Sequence, residues 1–141
     1  MKMYSISTPI SIRKKALLEK NTFINDEIGH SVITRFICCE CSHENTVEII
    51  PYQSGFPVLQ LYHDDKIVSG GELLRNGMVA ETLQSMLHFG ELTVNNLPTL
   101  YFGTSCKTCY SRYICLFGYG EKQPGQTILT ISGVWKYDDL K

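Results

Sequence analysis

The chain has 141 residues, 43% of them hydrophobic, and this length and composition fit one globular domain rather than a disordered segment. Its 13 basic and 14 acidic residues leave a net charge of −1, so bulk electrostatics does not favour nucleic acid or an anionic membrane as partner. No run approaches the roughly 18–20 apolar residues of a membrane helix, and residues 1–15 lack the apolar core of a signal peptide. We therefore expect a cytoplasmic protein whose thiols stay reduced.

The N-terminal part of the chain predicts strands with one short helix. Residues 1–12 are typical of an edge strand that Pro9 interrupts. Residues 12–20 predict a helix of under three turns. Residues 30–37 and 46–50 are rich in β-branched and aromatic side chains and predict two strands.

The middle of the chain predicts a hairpin followed by the main helix. Residues 56–63 and 66–69 flank Asp64 and Asp65, which have the chemistry of a turn. Residues 78–89 carry apolar side chains at the helical period and precede Gly90, a residue typical of a helix C-terminus. The sequence therefore predicts a helix of about three turns here.

The C-terminal part predicts strands almost throughout. Pro124 and Gly125 have the order required at the two central positions of a type II turn. The predicted strands are residues 92–94, 99–102, 112–117, 127–131 and 133–137. The fold class we expect is α+β, mainly antiparallel β, in a single domain of residues 1–141.

Four of the six cysteines form two pairs with the same spacing. Cys38 and Cys41 make one C-x-x-C pair, and Cys106 and Cys109 make the other. Two residues between cysteines allow a tight knuckle that directs both sulfurs at one ion, and two knuckles supply the four thiolates of a closed tetrahedral site. Soft thiolates favour zinc over magnesium or calcium. The spacing therefore predicts a structural Zn²⁺ bound by these four cysteines.

The flanks of both pairs carry a resemblance to zinc-ribbon proteins, over residues 32–50 and 100–117 only. Each pair lies between two predicted strands, and a ribbon repeats strand, knuckle and strand twice. Two features depart from the usual pattern. Residues 42–105 separate the pairs, whereas ribbons commonly have about 15–20 residues there. Ser42 and Tyr110 stand where a glycine often follows the second cysteine. The resemblance implies that residues 51–99 are an inserted subdomain between two knuckle halves.

Other interpretations of the cysteines remain open at this point. The pairs could be disulfides, unligated thiols or, for Cys106 and Cys109, a redox motif, although a redox pair usually begins a helix. Cys39 is interpreted as a neighbour of the site, with a Cys39–Cys41 pairing as the alternative. His43 is interpreted as an exposed loop residue, with replacement of a cysteine ligand or support of one as the alternatives. Cys115 is interpreted as a small buried side chain.

The sequence contains no recognisable catalytic motif. A zinc deaminase would need His-x-Glu and a proline before the second pair, but His43 adjoins Glu44 and Ser105 precedes Cys106. Nucleotide-binding and nucleophile-elbow motifs are also missing. His63, Asp64 and Asp65 could form a second polar site, although a solvated turn explains them as well. We therefore expect a protein that is not an enzyme.

Three functional hypotheses follow. The first is a zinc-stabilised protein-interaction module, such as an inhibitor, an adaptor or an immunity-type protein, with Tyr110, Tyr119 and Trp135 as exposed partner-binding aromatics. The second is a nucleic-acid-binding ribbon, in which basic residues interleave with tyrosines. The third is an enzyme whose pocket assembles only in the folded chain. The interleaved residues of the second hypothesis are Lys107, Arg112 and Lys122 with Tyr110, Tyr113 and Tyr119.

Overall fold

The computed structural model describes residues 2–140 and confirms an α+β fold dominated by antiparallel strands. The strands are β1 Ile10–Lys15, β2 Leu17–Leu18, β3 Thr22–Ile24, β4 Val32–Ile37, β5 Glu44–Ile49, β6 Phe56–Pro57, β7 Ala80–Glu81, β8 Leu92–Thr93, β9 Thr99–Ser105, β10 Arg112–Gln123 and β11 Gln126–Asp139. The helices are α1 Leu59–Tyr62 and α2 Gly70–Arg75, with 3₁₀ turns at Asn25–Glu27, His63–Asp65 and Gln84–Phe89. None of the helices within residues 2–140 is long and apolar enough to cross a membrane.

The largest sheet has six strands and is built around a long hairpin. Its strand order is β1-β11-β10-β9-β6, and β3 pairs with one end of β11. The β10–β11 hairpin turns at Pro124 and Gly125, where Gly125 has a φ of 79°. This is the positive φ that a type II turn requires at its third position, so the predicted turn is confirmed.

A smaller sheet contains β2, β4 and β5 in that order. Strand β4 pairs with β5 from Val32↔Ile49 to Ile37↔Glu44 without a register shift. Both strands alternate strictly between buried and exposed residues, which is the pattern of strands with one covered face. The strands predicted at residues 30–37 and 46–50 are therefore confirmed.

The large sheet is covered on both faces. On one face, Ile114 and Leu116 of β10 pack with residues of the 58–79 segment, including Leu61 and Leu73. On the other face, Tyr113, Cys115 and Phe117 pack against the small sheet. Because β10 is buried on both sides, its sequence shows a continuous apolar run instead of alternation.

The three-turn helix predicted at residues 78–89 is wrong. Ala80–Glu81 forms strand β7, and Gln84–Phe89 forms a 3₁₀ turn. Met78 and Val79 are buried, but Leu83 is 62% exposed and Leu87 48% exposed. Leu83 and Leu87 of the predicted apolar face therefore have no surface to pack against. Tertiary packing supplies most of the stability of a helix, so this segment does not form one.

The helix predicted at residues 12–20 and the hairpin predicted at residues 56–69 are also wrong. Ile10–Lys15 is instead strand β1, which pairs with β11. The turn at Asp64 and Asp65 exists, with φ of 56° and 53°, but α1 precedes it in place of a strand. Leu61, just before that turn, is fully buried in the core. Contact with the large sheet therefore decides the conformation of this segment.

Candidate metal centre

The two cysteine pairs occupy equivalent positions in the two sheets. Cys38 and Cys41 lie in the connection from β4 to β5, and Cys106 and Cys109 lie in the connection from β9 to β10. Each pair is thus held at the end of a regular antiparallel hairpin, as the strand pattern predicted. The packing of one sheet on the other brings the two hairpin ends together.

The first knuckle is closed by two backbone hydrogen bonds. The Cys38 N–H donates to the His43 carbonyl at 2.9 Å, and the Ser42 N–H donates to the Cys38 carbonyl at 3.1 Å. Ser42 has a φ of 64°, in the left-handed region that glycine adopts most easily. The chain therefore reverses tightly directly after Cys41.

The second knuckle repeats this geometry. The Cys106 N–H donates to the Ser111 carbonyl at 2.8 Å, and the Tyr110 N–H donates to the Cys106 carbonyl at 3.0 Å. Tyr110 has the same φ of 64° as Ser42. Both residues hold the left-handed conformation at the place where zinc ribbons often have glycine, so the absence of glycine does not alter the knuckle.

The four sulfurs converge. All four lie within 4.8 Å of one another, with Cys38 and Cys109 3.5 Å apart and Cys41 and Cys106 also 3.5 Å apart. A tetrahedral ion with bonds of about 2.3 Å to sulfur needs sulfurs about 3.8 Å apart, and these distances fit it. They are too long for a disulfide, whose sulfurs are about 2.05 Å apart. The cluster has the chemistry and size of a site for a thiophilic metal ion.

Within the cluster, the pKa values of Cys38 and Cys41 are shifted in opposite directions, in part by neighbouring thiols. Burial raises the pKa of the Cys38 thiol, but hydrogen bonds from Tyr113 and from backbone N–H groups outweigh it and lower the pKa to about 6. The backbone N–H of His43 lowers the pKa of Cys41, whereas desolvation and the three neighbouring sulfurs raise it to about 12. Four adjacent thiols cannot all ionise unless a positive charge offsets their repulsion.

Tyr113 links the second half of the site to the first knuckle. It lies on β10, its ring is fully buried, and it packs 4.8 Å from the ring of Phe36. Its hydroxyl donates to Cys38 Sγ at 3.1 Å and accepts the Cys39 N–H at 2.7 Å. One hydroxyl therefore fixes both a sulfur and the backbone of the opposite knuckle.

Asn45 makes the reciprocal link. It lies on β5 and is 6% exposed. Its Nδ2 donates to Cys106 Sγ at 3.5 Å, and its Oδ1 accepts the Lys107 N–H at 3.0 Å. Asn45 stands as far after Cys38 in the sequence as Tyr113 stands after Cys106. Sequence reasoning missed both residues as parts of the site, although this equal spacing was visible.

Cys39, Cys115 and His43 lie outside the cluster. Within residues 2–140, the four paired cysteines are the only side chains of ligand type that converge in this way. Cys39 Sγ lies 4.0 Å from the Lys14 carbonyl oxygen. Cys115 is buried in the core, as expected, and burial raises the pKa of its thiol. His43 takes part through its backbone groups.

The predicted partner-binding aromatics differ in exposure. Tyr110 is 75% exposed, and Tyr119 is half-buried and packs edge-on against Tyr52, with ring centroids 5.1 Å apart. Trp135 is 2% exposed and lies in the core on the 58–79 side of the large sheet. The expectation that Trp135 is exposed is therefore wrong, because alternation along β11 does not reveal that both faces are covered.

The basic and aromatic residues of the second hypothesis do not form one surface. Tyr113 is buried, and Arg112 pairs with Asp139 at 3.0 Å. Lys122 lies at the other end of β10, where it donates to Asn95. The stacking platform that the interleaved sequence predicts is therefore not present among these residues.

A groove of about 970 Å³ lies beside the cysteine cluster. Residues from both knuckles line it, together with Lys2 and Tyr4 from the N-terminal segment and Thr104 from β9. The first knuckle and β5 contribute residues 43–46 to the walls of the groove, and the second knuckle contributes Tyr110. The relative position of the two knuckles therefore sets the width of this groove.

Comparison of the chain with protein-family models, with curated proteins and with solved structures finds no match.

Proposed function

We propose that this protein is a non-catalytic interaction module whose fold is stabilised by one Zn²⁺ bound by Cys38, Cys41, Cys106 and Cys109. The observation that carries the proposal is the convergence of four sulfurs from two knuckles with matching backbone geometry. Four thiolates occupy all positions of a tetrahedral zinc ion and leave none for water or substrate. The ion would then serve stability rather than catalysis.

The chemistry of the ligands supports zinc. Four thiolates in a tetrahedral arrangement are typical of zinc or of an iron–sulfur centre, and hard cations such as magnesium prefer oxygen. A zinc ion in this position would join two hairpins that residues 42–105 separate in sequence. Binding energy of a structural zinc contributes directly to folding, so the ion would keep the two sheets docked.

The groove supports the interaction role. The knuckles that would bind zinc also form its walls, so the ion would hold a preformed surface for a partner protein. Tyr110 presents a large exposed ring at this surface, and tyrosine is enriched at the centre of protein interfaces. An inhibitor, an adaptor or an immunity-type protein would use a rigid surface of this kind.

Elemental analysis of protein purified without added metal tests the first part of the proposal. We expect about one zinc per chain. Iron in place of zinc would correct the identity of the metal. Six titratable free thiols without any metal would show that the four cysteines do not form a metal site.

Affinity capture from native lysate tests the interaction role. We expect a near-stoichiometric protein partner with the wild-type chain and its loss with Tyr110→Ala. Tyr52→Ala is the matched control, because Tyr52 is 92% exposed and does not line the groove. Equal recovery of the partner protein by both variants would show that Tyr110 does not contribute to the interface. Salt-sensitive retardation of nucleic acid in a gel would favour the nucleic-acid alternative instead.

A further inference from the structure

We propose that Tyr113 and Asn45 are positioning residues of the metal centre, each holding the first thiolate of the opposite knuckle in its ligating orientation and lowering its reactivity. The inference deepens the proposed function and rests on the four cysteines binding metal. It assigns the centre an inner pair of thiolates, Cys38 and Cys106, and an outer pair, Cys41 and Cys109. Attack on the centre would begin at the outer pair.

Tyr113 and Asn45 each contact the knuckle opposite to the one they follow in sequence, and the two sets of contacts match. Each follows its own knuckle along the chain but donates a side-chain hydrogen bond to a sulfur of the other knuckle. Each also accepts a backbone N–H from the residue directly after that sulfur's cysteine, namely Cys39 or Lys107. These hydrogen bonds can all form only when the two hairpins are docked against each other. The hydrogen bonds therefore couple docking of the two sheets to the orientation of the ligands.

Burial separates the inner thiols from the outer ones. Cys38 is 2% exposed and Cys106 is 0% exposed, whereas Cys41 and Cys109 are exposed. A hydrogen bond to a thiolate withdraws charge from sulfur, so the donated bonds reduce the nucleophilicity of the inner pair. Apart from neighbouring sulfurs, the outer sulfurs have polar partners within their own knuckle, the His43 N–H for Cys41 and the Ser111 hydroxyl for Cys109. Their exposure therefore makes the outer pair the accessible route for chelators, oxidants and electrophiles.

Removal of one hydroxyl tests the inference. Tyr113→Phe keeps the ring that packs on Phe36 and deletes only the donor to Cys38. Tyr101→Phe is the matched control, because Tyr101 is also fully buried and its hydroxyl contacts the Ile6 backbone, away from the cysteines. Circular dichroism verifies that both variants are folded. Asn45→Ala provides the second, reciprocal arm.

We expect Tyr113→Phe to weaken zinc affinity by about 10- to 100-fold in chelator competition, the range typical for residues that orient metal ligands. Tyr101→Phe should leave the affinity unchanged. With Co²⁺ as a spectroscopic probe, the sulfur-to-cobalt charge-transfer band should move to lower energy only when the donor to sulfur is removed. Asn45→Ala should move it in the same direction.

Limited alkylation of the zinc-bound protein with iodoacetamide, read by peptide mass spectrometry, gives the order of attack. Among the four ligands, we expect Cys41 and Cys109 to react before Cys38 and Cys106 in the wild type, with the non-ligand Cys39 labelled independently of the metal. Cys38 labelling should rise selectively in Tyr113→Phe. Unchanged affinity and spectrum in Tyr113→Phe, or equal effects of Tyr101→Phe, would overturn this inference while leaving the zinc site intact. A wild-type chain that binds neither zinc nor Co²⁺ would instead overturn the proposed function.

Discussion

Two regions of the molecule, the cysteine knuckles and residues 58–89, differ in what determines their conformation. In each knuckle, both hydrogen bonds that close the turn join residues a few positions apart, and the geometry occurs twice in different sequences. In the segment, Leu61 and Leu73 are fully buried against the large sheet, while the apolar Leu83 is exposed. Cysteine spacing is therefore a reliable local signal, whereas an amphipathic pattern needs a partner surface that lies elsewhere in the chain.

The largest effect should come from breaking the four-sulfur cluster. Cys106→Ser should abolish high-affinity zinc binding and unfold most of the chain, because structural zinc contributes about 10–16 kcal/mol of apparent binding energy that is linked to folding. Thermal unfolding followed by circular dichroism, with and without added zinc, measures this. Cys39→Ser is the control and should retain both metal and fold. If Cys39→Ser is equally damaging, the assignment of the ligands is wrong.

A smaller effect should come from the core of the 58–79 segment. Leu73→Ala removes a fully buried side chain and should lower the free energy of unfolding by about 2–5 kcal/mol. Leu83→Ala removes an exposed side chain and should change the free energy of unfolding by no more than about 0.5 kcal/mol. Urea denaturation of zinc-bound protein compares the two. A large loss for Leu83→Ala would indicate that residues 78–89 pack as the helix their pattern predicts.

The smallest effect should come from the left-handed residue of the first knuckle. Ser42→Gly should raise the free energy of unfolding by up to about 1 kcal/mol, since a left-handed φ costs an L-residue roughly 1–2 kcal/mol that glycine avoids. Ser42→Ala keeps the Cβ and should give no gain. The same urea titration detects the difference. Destabilisation by glycine would show that the Ser42 side chain contributes a contact that outweighs its strain.

Most of the candidate site was predictable because its signals are local. The equal spacing of the cysteine pairs and the strand-forming residues around them predicted the four converging residues and the hairpins that present them. The donors Tyr113 and Asn45 were not recognised, because a buried tyrosine or asparagine on a strand has many possible partners and sequence does not show which sulfur faces it. Trp135 was misplaced for a related reason: alternation indicates that a strand has two faces but not that both are covered.

The sequence by itself determined the antiparallel β character, the turn at Pro124 and Gly125, and the two knuckles, because each depends on backbone preferences within a few residues. Only the tertiary structure decided that residues 78–89 are not a three-turn helix, that residues 10–15 add a strand to the large sheet, and that the two knuckles cross-link through Tyr113 and Asn45. Those outcomes depend on which surfaces meet after folding. The free energy of burying a side chain or pairing a strand edge exceeds the small intrinsic preference of a short segment.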